Sequence, residues 1–350
     1  MKNVLIGVVI LAVIGGGVGF YIHKKQQDKK AAKAAQKKPS DPNAFKVALV
    51  TPGPSTDGGW NQNAVKALER IKTELPAEIF KFAAKDGEAA HGAFRKYADD
   101  RKVNVIIGHA GEYNDAKTAE IAAKSPKTTF LISGSEKSEL NVCGVRFVLE
   151  DATFVLGQLA ASMSKSNLLG CIGPERWPVI ESTFDAFEKG AKSIKPDIKV
   201  VVKWTEKSSD IARAREQTLQ LIGDGADFIF QNADNAGQGV FEAVQQNKDK
   251  GVYILGSNDD QALSMPQFDD VILASAALDI PSAYLEICKQ IKDGKFEQKT
   301  HFIGIAQGEV TVAFNKKLEA KITADVMKKL NETIEKIKKG ETLYTRKELK

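Results

Sequence analysis

The sequence predicts an α/β protein of two Rossmann-like lobes, each a parallel sheet covered by helices, with a ligand cleft between them. Three observations carry this reading. From Lys46 onward, short β-branched runs alternate with segments whose apolar residues recur at helical spacing, the signature of parallel strands joined by helical crossovers. The cycle starts afresh near residue 150 with the same build. A further strand–helix–strand stretch follows the second cycle, so the chain must pass between the lobes more than once.

In the first cycle KVALV is a strand, NAVKALERIKTEL a helix and EIFKFAA a second strand. The helix AAHGAFRKYADD leads into the strand VNVIIG, and NDAKTAEIAAKS leads into TTFLIS. The second cycle opens with the helix ATFVLGQLAASMSK and the strand NLLGCIG. The helix VIESTFDAFEKGAKSI, closed by Pro196, precedes IKVVVKW. IARAREQTLQLIG, ADFIFQ, AGQGVFEAVQQNK and VYILGS then read helix, strand, helix, strand. The extra segment holds the strand VILASAAL, the helix IPSAYLEICKQIKDG, two strands in THFIGIAQGEVTVAF and the charged amphipathic helix DVMKKLNETIEKIKKGE. The expected divisions are an apolar signal or anchor at 1–22, a tether at 23–45, lobe 1 at 46–148 plus 275–300, lobe 2 at 149–274 plus 301–320, and a C-terminal helix at 321–350.

The chain has 350 residues, 43% hydrophobic and 27% charged, a globular composition. Val4 to Ile22 is an uncharged apolar run that suits a membrane anchor; no clear small-residue cleavage site follows, so an uncleaved anchor is the expectation over a signal peptide. Residues 23–45 are lysine-rich, lack an apolar face and read as a solvated tether. The net charge of +5 is carried by this tether; the remainder is close to neutral, which removes the electrostatic argument for nucleic-acid binding. Cys143, Cys171 and Cys288 lie in apolar contexts without metal-ligand spacing and read as buried small hydrophobes.

In open parallel sheets a ligand binds beyond the carboxyl ends of the strands. The loops there read TPGPSTDGGWNQ, HAGEYND, PERWP, NADNAGQG and SNDDQ. They are rich in hydrogen-bonding side chains, and two carry tryptophan, which suits a polar planar ligand. The candidate ligand-binding residues are Asp57, Trp60, Asn61, His109, Glu112, Trp177, Asp234, Asn258 and Asp260. Catalysis finds little support. No nucleophile elbow, zinc-protease motif or phosphate loop is present, and Gly237 and Gly239 lack the third glycine of a dinucleotide fingerprint. Of the four histidines, only His109 falls in a strand-end loop. Neither a cofactor nor a metal is expected.

The order of these motifs resembles the basic membrane protein family, the nucleoside-type substrate-binding proteins of ABC importers. The first loop, Asp57-Gly-Gly-Trp60-Asn61-Gln62, resembles that family's opening loop. IIGHAGEYNDA, SPKTTFLISG, FVLEDATFVLGQLAA, FEKGAK, GQGV and Gly256-Ser-Asn258-Asp-Asp260-Gln261 follow in family order, from about Lys46 to Asn315. The resemblance implies the type I periplasmic binding fold, whose cleft closes on its ligand. It also implies that Trp60 and Asn61 help hold a base. The ribose-binding aspartate of the family is replaced by Asn258, and its lysine falls near Ala277 and is absent. Trp177 lies where the second lobe can supply an opposing ring.

The expected function is therefore an extracytoplasmic, membrane-anchored monomer that captures a small polar planar solute, nucleoside-like, and passes it to an ABC permease. The lysines after the apolar run favour a cytoplasmic domain by the positive-inside bias, but the family resemblance implies the outside face. Two alternatives use the same residues: a sensor of the same fold serving a signalling partner, and an α/β hydrolase or transferase with His109 or Glu112 as base.

Overall fold

The structure is a computed structural model that describes residues 44–55 and 59–345. Two six-stranded sheets organise the chain from Phe45 onward. The first is built from β1 (Lys46–Thr51), β2 (Glu78–Ala83), β3 (Val105–Gly108), β4 (Thr129–Ser133), β5 (Val142–Phe147) and, much later in the chain, β11 (His301–Ile303). Its order is β11-β5-β4-β3-β1-β2, every pair parallel. The second contains β6 (Leu168–Gly173), β7 (Lys199–Trp204), β8 (Phe228–Gln231), β9 (Tyr253–Asn258), β10 (Ile272–Leu278) and β12 (Val310–Phe314). Its order, β12-β10-β9-β8-β6-β7, repeats the first, with only β12 antiparallel. In both sheets the chain starts near one edge, steps outward once and then winds back. The strand order therefore reverses between β1 and β3 in one sheet and between β6 and β8 in the other.

Helices α1 (Trp60–Glu74), α2 (Gly87–Arg95) and α3 (Ala116–Lys124) cover the first sheet. Helices α4 (Glu150–Met163), α5 (Pro178–Ile194), α6 (Ile211–Gly223) and α7 (Gly237–Gln246) belong to the second. Helix α8 (Ile280–Lys292) returns to pack on α1, and α9 (Ala324–Lys338) packs on α4. Local sequence sets many starts: Asp86, Asp115, Asp210, Asp279 and Thr323 each accept a backbone N–H three residues on, at the beginnings of α2, α3, α6, α8 and α9. One continuous core joins the inner faces of both sheets, from Val47 and Leu49 on β1 to Leu169 and Cys171 on β6 and Leu255 on β9. Each outer face has its own smaller core. All three cysteines are buried and unpaired, and burial pushes each thiol up.

The chain crosses between the sheets at Val148–Leu149, at Asp279 and at Gly304–Glu309. Backbone bonds tie these crossings together: Val148 N–H donates to Ile303 O at 2.7 Å, and Asp279 N–H donates to Glu309 O at 2.7 Å.

Three sequence expectations differ from this fold. Strand β5 is not among the strands expected from sequence: NVCGVRF carries a glycine and an arginine among its apolar residues, yet all six residues of the strand are buried. The stretch 275–278, assigned to lobe 1, is part of β10 and stays in the second sheet, paired with β9. The stretch 301–303, assigned to lobe 2, pairs with β5 in the first sheet. An apolar run does not say where its sheet ends, and a three-residue strand has almost no pattern of its own. No helix among the described residues is long and apolar enough to cross a membrane. The apolar run at Val4–Ile22 and the tether lie outside the described residues.

Candidate functional site

The two strand reversals are where loops diverge and leave space for a ligand. In the first sheet this point is flanked by Trp60, at the first position of α1, and His109, directly after β3. Their rings stack with centroids 4.1 Å apart and planes 18° apart. The indole Nε1–H donates to His109 O at 3.1 Å, and His109 Nε2 lies 3.1 Å from Trp60 O. Phe147 meets the indole edge-on at 5.9 Å. Asn61 is buried one residue further along α1. At this junction of loop and helix the indole is bolted by its own backbone and its N–H to the next strand tip.

His109 is fully buried, and burial holds its imidazole down at about 3. It is neutral at physiological pH, with one N–H and one bare nitrogen. A carbonyl only accepts, so the nitrogen facing Trp60 O, Nε2, carries the proton. The bare Nδ1 then accepts: Tyr284 OH lies 2.7 Å away and Ser133 Oγ 3.1 Å away. Burial pushes the Tyr284 phenol well up, so it remains a donor. The shelf therefore draws on α1, β3, β4 and α8. Both His109 nitrogens are committed inside the protein, which leaves no base there for hydrolysis or group transfer.

Around the second reversal, Trp177 forms the N-terminal boundary of α5 and is 44% exposed. Among the described residues it stacks on no other ring. Asp234 is exposed on a turn after β8 with φ +53°, and Asn258 ends β9 with φ +66°. Such left-handed values at non-glycine residues are sparsely populated and cluster at functional sites. Asn258 is half-buried, and its Nδ2 donates to Asn232 Oδ1 at 3.2 Å. Asp260 is half-buried, with Oδ1 shut off from solvent and lacking a hydrogen-bond partner among the described residues. Burial pushes the neighbouring Asp259 carboxyl up, while the charge of Lys66 on α1 pulls the other way. Glu112 is exposed on the turn Gly111–Tyr113. Asp57 lies outside the described residues. An open hollow of about 550 Å³ runs along α1, lined by Ser55, Gln62, Lys66, Glu69, Arg70 and Thr73 among others. It lies on the outer flank of α1 between long polar, charged and aliphatic side chains.

The structure thus joins Trp60 to His109 directly, and Asn258 to Asn232 directly. It shows no contact between Trp60 and Trp177. Sequence reading missed Ser133, Tyr284 and Asn232. Asn232 is the first residue after β8 and was within reach of the strand-end rule. Tyr284 was not, because it reads as an apolar position of a helix far along the chain. Gly237 and Gly239 prove to be packing residues: a Cβ on Gly239 would lie 2.1 Å from Ile211 O on α6. No group of residues suited to a metal ion occurs among the described residues.

Comparison with known proteins gives the same picture. Residues 44–343 match the family described as "ABC transporter substrate-binding protein PnrA-like". Among relatives, "Transcriptional activator protein med" of Bacillus subtilis (strain 168) is 29% identical over 266 residues, 76% of this chain and 80% of that protein. "ABC transporter nucleoside-binding protein BmpA" of Lactococcus lactis subsp. cremoris (strain MG1363) is 30% identical over 268 residues, 72% of this chain and 76% of that protein. A solved ABC transporter solute-binding protein from Aeropyrum pernix K1 superposes with a TM-score of 0.74 over 87% of this chain and 94% of its own, at 16% identity, which speaks for the fold alone. A doubly wound pair of sheets and a family match over most of the chain agree: this protein belongs to the Bmp family, the PnrA-like substrate-binding proteins of ABC transporters, and is not an enzyme.

Proposed function

We propose that this substrate-binding protein captures a nucleoside-like solute outside the cytoplasmic membrane and presents it to the permease of an ABC importer. The observation that carries the ligand class is the Trp60–His109 pair. An indole whose ring plane, N–H and backbone are all fixed offers a preset flat surface, and neutral His109 covers one of its faces. A ligand base has the other face, worth on the order of 1–3 kcal/mol by stacking. The name of the Lactococcus relative points to the same class. Closure follows from contacts on both sides of the cleft, which favour the closed state, and the permease reads that state. The protein acts as a monomer, and its N-terminal apolar run is the anchor; extraction of the full chain from membranes by salt alone, without detergent, would refute the anchor.

The test is calorimetric titration of residues 40–350 with inosine, adenosine, uridine, ribose and free bases. At least one nucleoside should bind. Trp60→Ala should weaken it by about 10- to 100-fold, the loss of one stacking face, while Trp60→Phe retains most of the affinity. Equal binding by Trp60→Ala would overturn the stacking role, and tighter binding of ribose than of any nucleoside would overturn the ligand class.

A further inference from the structure

The second sheet contains a chain of side-chain hydrogen bonds whose direction can be worked out from one end. Thr183 Oγ1, on α5, lies 2.7 Å from Ile180 O. A backbone carbonyl accepts only, so the single hydroxyl proton of Thr183 is spent there. Asn232, after β8, is 3.2 Å from Thr183 Oγ1. With its proton committed, Thr183 has only a lone pair to offer, so the Asn232 atom facing it must be the NH₂. The other end of the Asn232 amide is then its carbonyl oxygen, which lies 3.2 Å from the Asn258 amide. The Asn258 atom facing that carbonyl must in turn be NH₂. Assigning amide orientation from coordinates alone is ambiguous. Here the carbonyl of Ile180 removes the ambiguity. Thr183 and Asn232 are 2% and 3% exposed, so water does not compete for these bonds.

We infer that this relay makes Asn258 an obligate hydrogen-bond acceptor toward the cleft and so makes Thr183 and Asn232 positioning residues that set ligand selectivity without touching ligand. The inference rests on the reading that Asn258, at the tip of β9, faces a nucleoside-like solute. With NH₂ held by Asn232, the Asn258 end left over is the carbonyl Oδ1, which takes no protein donor among the described residues. The left-handed backbone at Asn258 is one that asparagine tolerates better than most residues, and it holds the amide at this station. A neutral acceptor here selects a solute with a donor at the matching position, a sugar hydroxyl or an amine. It disfavours a group that can only accept, because two acceptors would face each other with no proton between them. A carboxylate would accept as well, but as a charge. The neutral relay therefore distinguishes donor-bearing from donor-free solutes with no need for a counter-cation.

Two measurements test this, and they fail separately. In the ligand-free protein, the Asn258 side-chain NH₂ should be protected from hydrogen exchange in ¹⁵N-resolved spectra. Thr183→Ser should preserve that protection, because the hydroxyl remains, and Thr183→Val should abolish it. An Asn258 NH₂ exchanging as freely in the unsubstituted protein as an exposed amide would overturn the relay. The second measurement compares inosine with its analogue in which fluorine, an acceptor that cannot donate, replaces the sugar hydroxyls. The unsubstituted protein and Thr183→Ser should prefer inosine by about tenfold, the cost of one unmade hydrogen bond to a buried group. In Thr183→Val, Asn232 is free to turn and Asn258 with it, and the preference should fall below about threefold. An undiminished preference in Thr183→Val would overturn the selectivity role. Protection that depends on Thr183 in a protein that binds no nucleoside would uphold the relay and overturn the ligand reading instead.

Discussion

His109 shows how one residue sets the character of a candidate binding surface. Its ring carries no charge, its Nε2–H is tied to Trp60 O, and its bare Nδ1 accepts from the hydroxyls of Tyr284 at 2.7 Å and Ser133 at 3.1 Å. The first of these properties has a consequence for stability. The imidazole titrates near 6.5 in the unfolded chain and, because burial penalises the cation, at about 3 in the folded one. Between those values the unfolded state binds a proton that the folded state refuses. Stability therefore falls as pH drops from about 6.5 toward 3, and this group contributes no pH dependence above 6.5. Unfolding by urea at pH 7 and pH 5 should show the unsubstituted protein losing about 2 kcal/mol more than His109→Gln over that interval. Equal losses would mean that His109 is protonated in the folded state. The candidate residues themselves were legible in sequence, since Trp60 follows β1 by a loop, His109 directly follows β3 and Asn258 ends β9. What holds them was not: Tyr284 is 175 positions from His109, and only the return of the chain to the first sheet brings the two together.

Elements are positioned here by backbone approach as much as by side-chain fit. Helices α4 and α5 cross so closely that a Cβ on Gly190 would lie 1.9 Å from Phe154 O, and one on Gly157 2.0 Å from Phe187 O. Neither gap can be relieved by a rotamer change, because the obstructing atoms are backbone. Since α5 carries Trp177 at its start and Thr183 in its second turn, this crossing also fixes the second sheet's side of the cleft. Gly190→Ala should cost about 3 kcal/mol in urea unfolding through forced separation of the helices. Gly92, inside α2, has nothing within 4 Å of its notional Cβ. Gly92→Ala should instead stabilise by about 1 kcal/mol through helix propensity. Comparable effects of the two substitutions would remove the close-approach argument. The sequence shows why some elements were readable and others not. KVALV, NLLGCIG and VYILGS announce themselves by composition. VCGVRF does not, because buried Arg146 breaks the apolar run; its guanidinium is met by Glu136, by Glu150 four residues on, and by Ser182 on α5. A buried charge reads as surface until its partners are known.

At the scale of the whole molecule, closure of the cleft must pivot on the three crossings, and the C-terminal tail reaches them. Asp151, just past the first crossing, accepts the Ile305 N–H of the third crossing through Oδ2 at 3.2 Å. Tyr344, beyond α9, donates its phenol to the other oxygen of the same carboxylate at 2.8 Å and stacks on Phe154 with planes 16° apart. Lys189 on α5 donates to Thr345 O at 2.9 Å, which fastens the tail on its far side. The tail therefore bears on the carboxylate that links two crossings, a position from which it stiffens the pivot without entering the cleft. Tyr344→Phe keeps the stack and deletes one hydrogen bond to Asp151. A bond of this kind is worth about 1 kcal/mol, so the Ile305 amide should exchange about fivefold faster in the variant. Amides of β8, remote from the tail, should exchange at the unsubstituted rate. Uniform acceleration across both sites would indicate lost global stability, and an unchanged Ile305 amide would show that the tail packs on α4 without restraining the pivot.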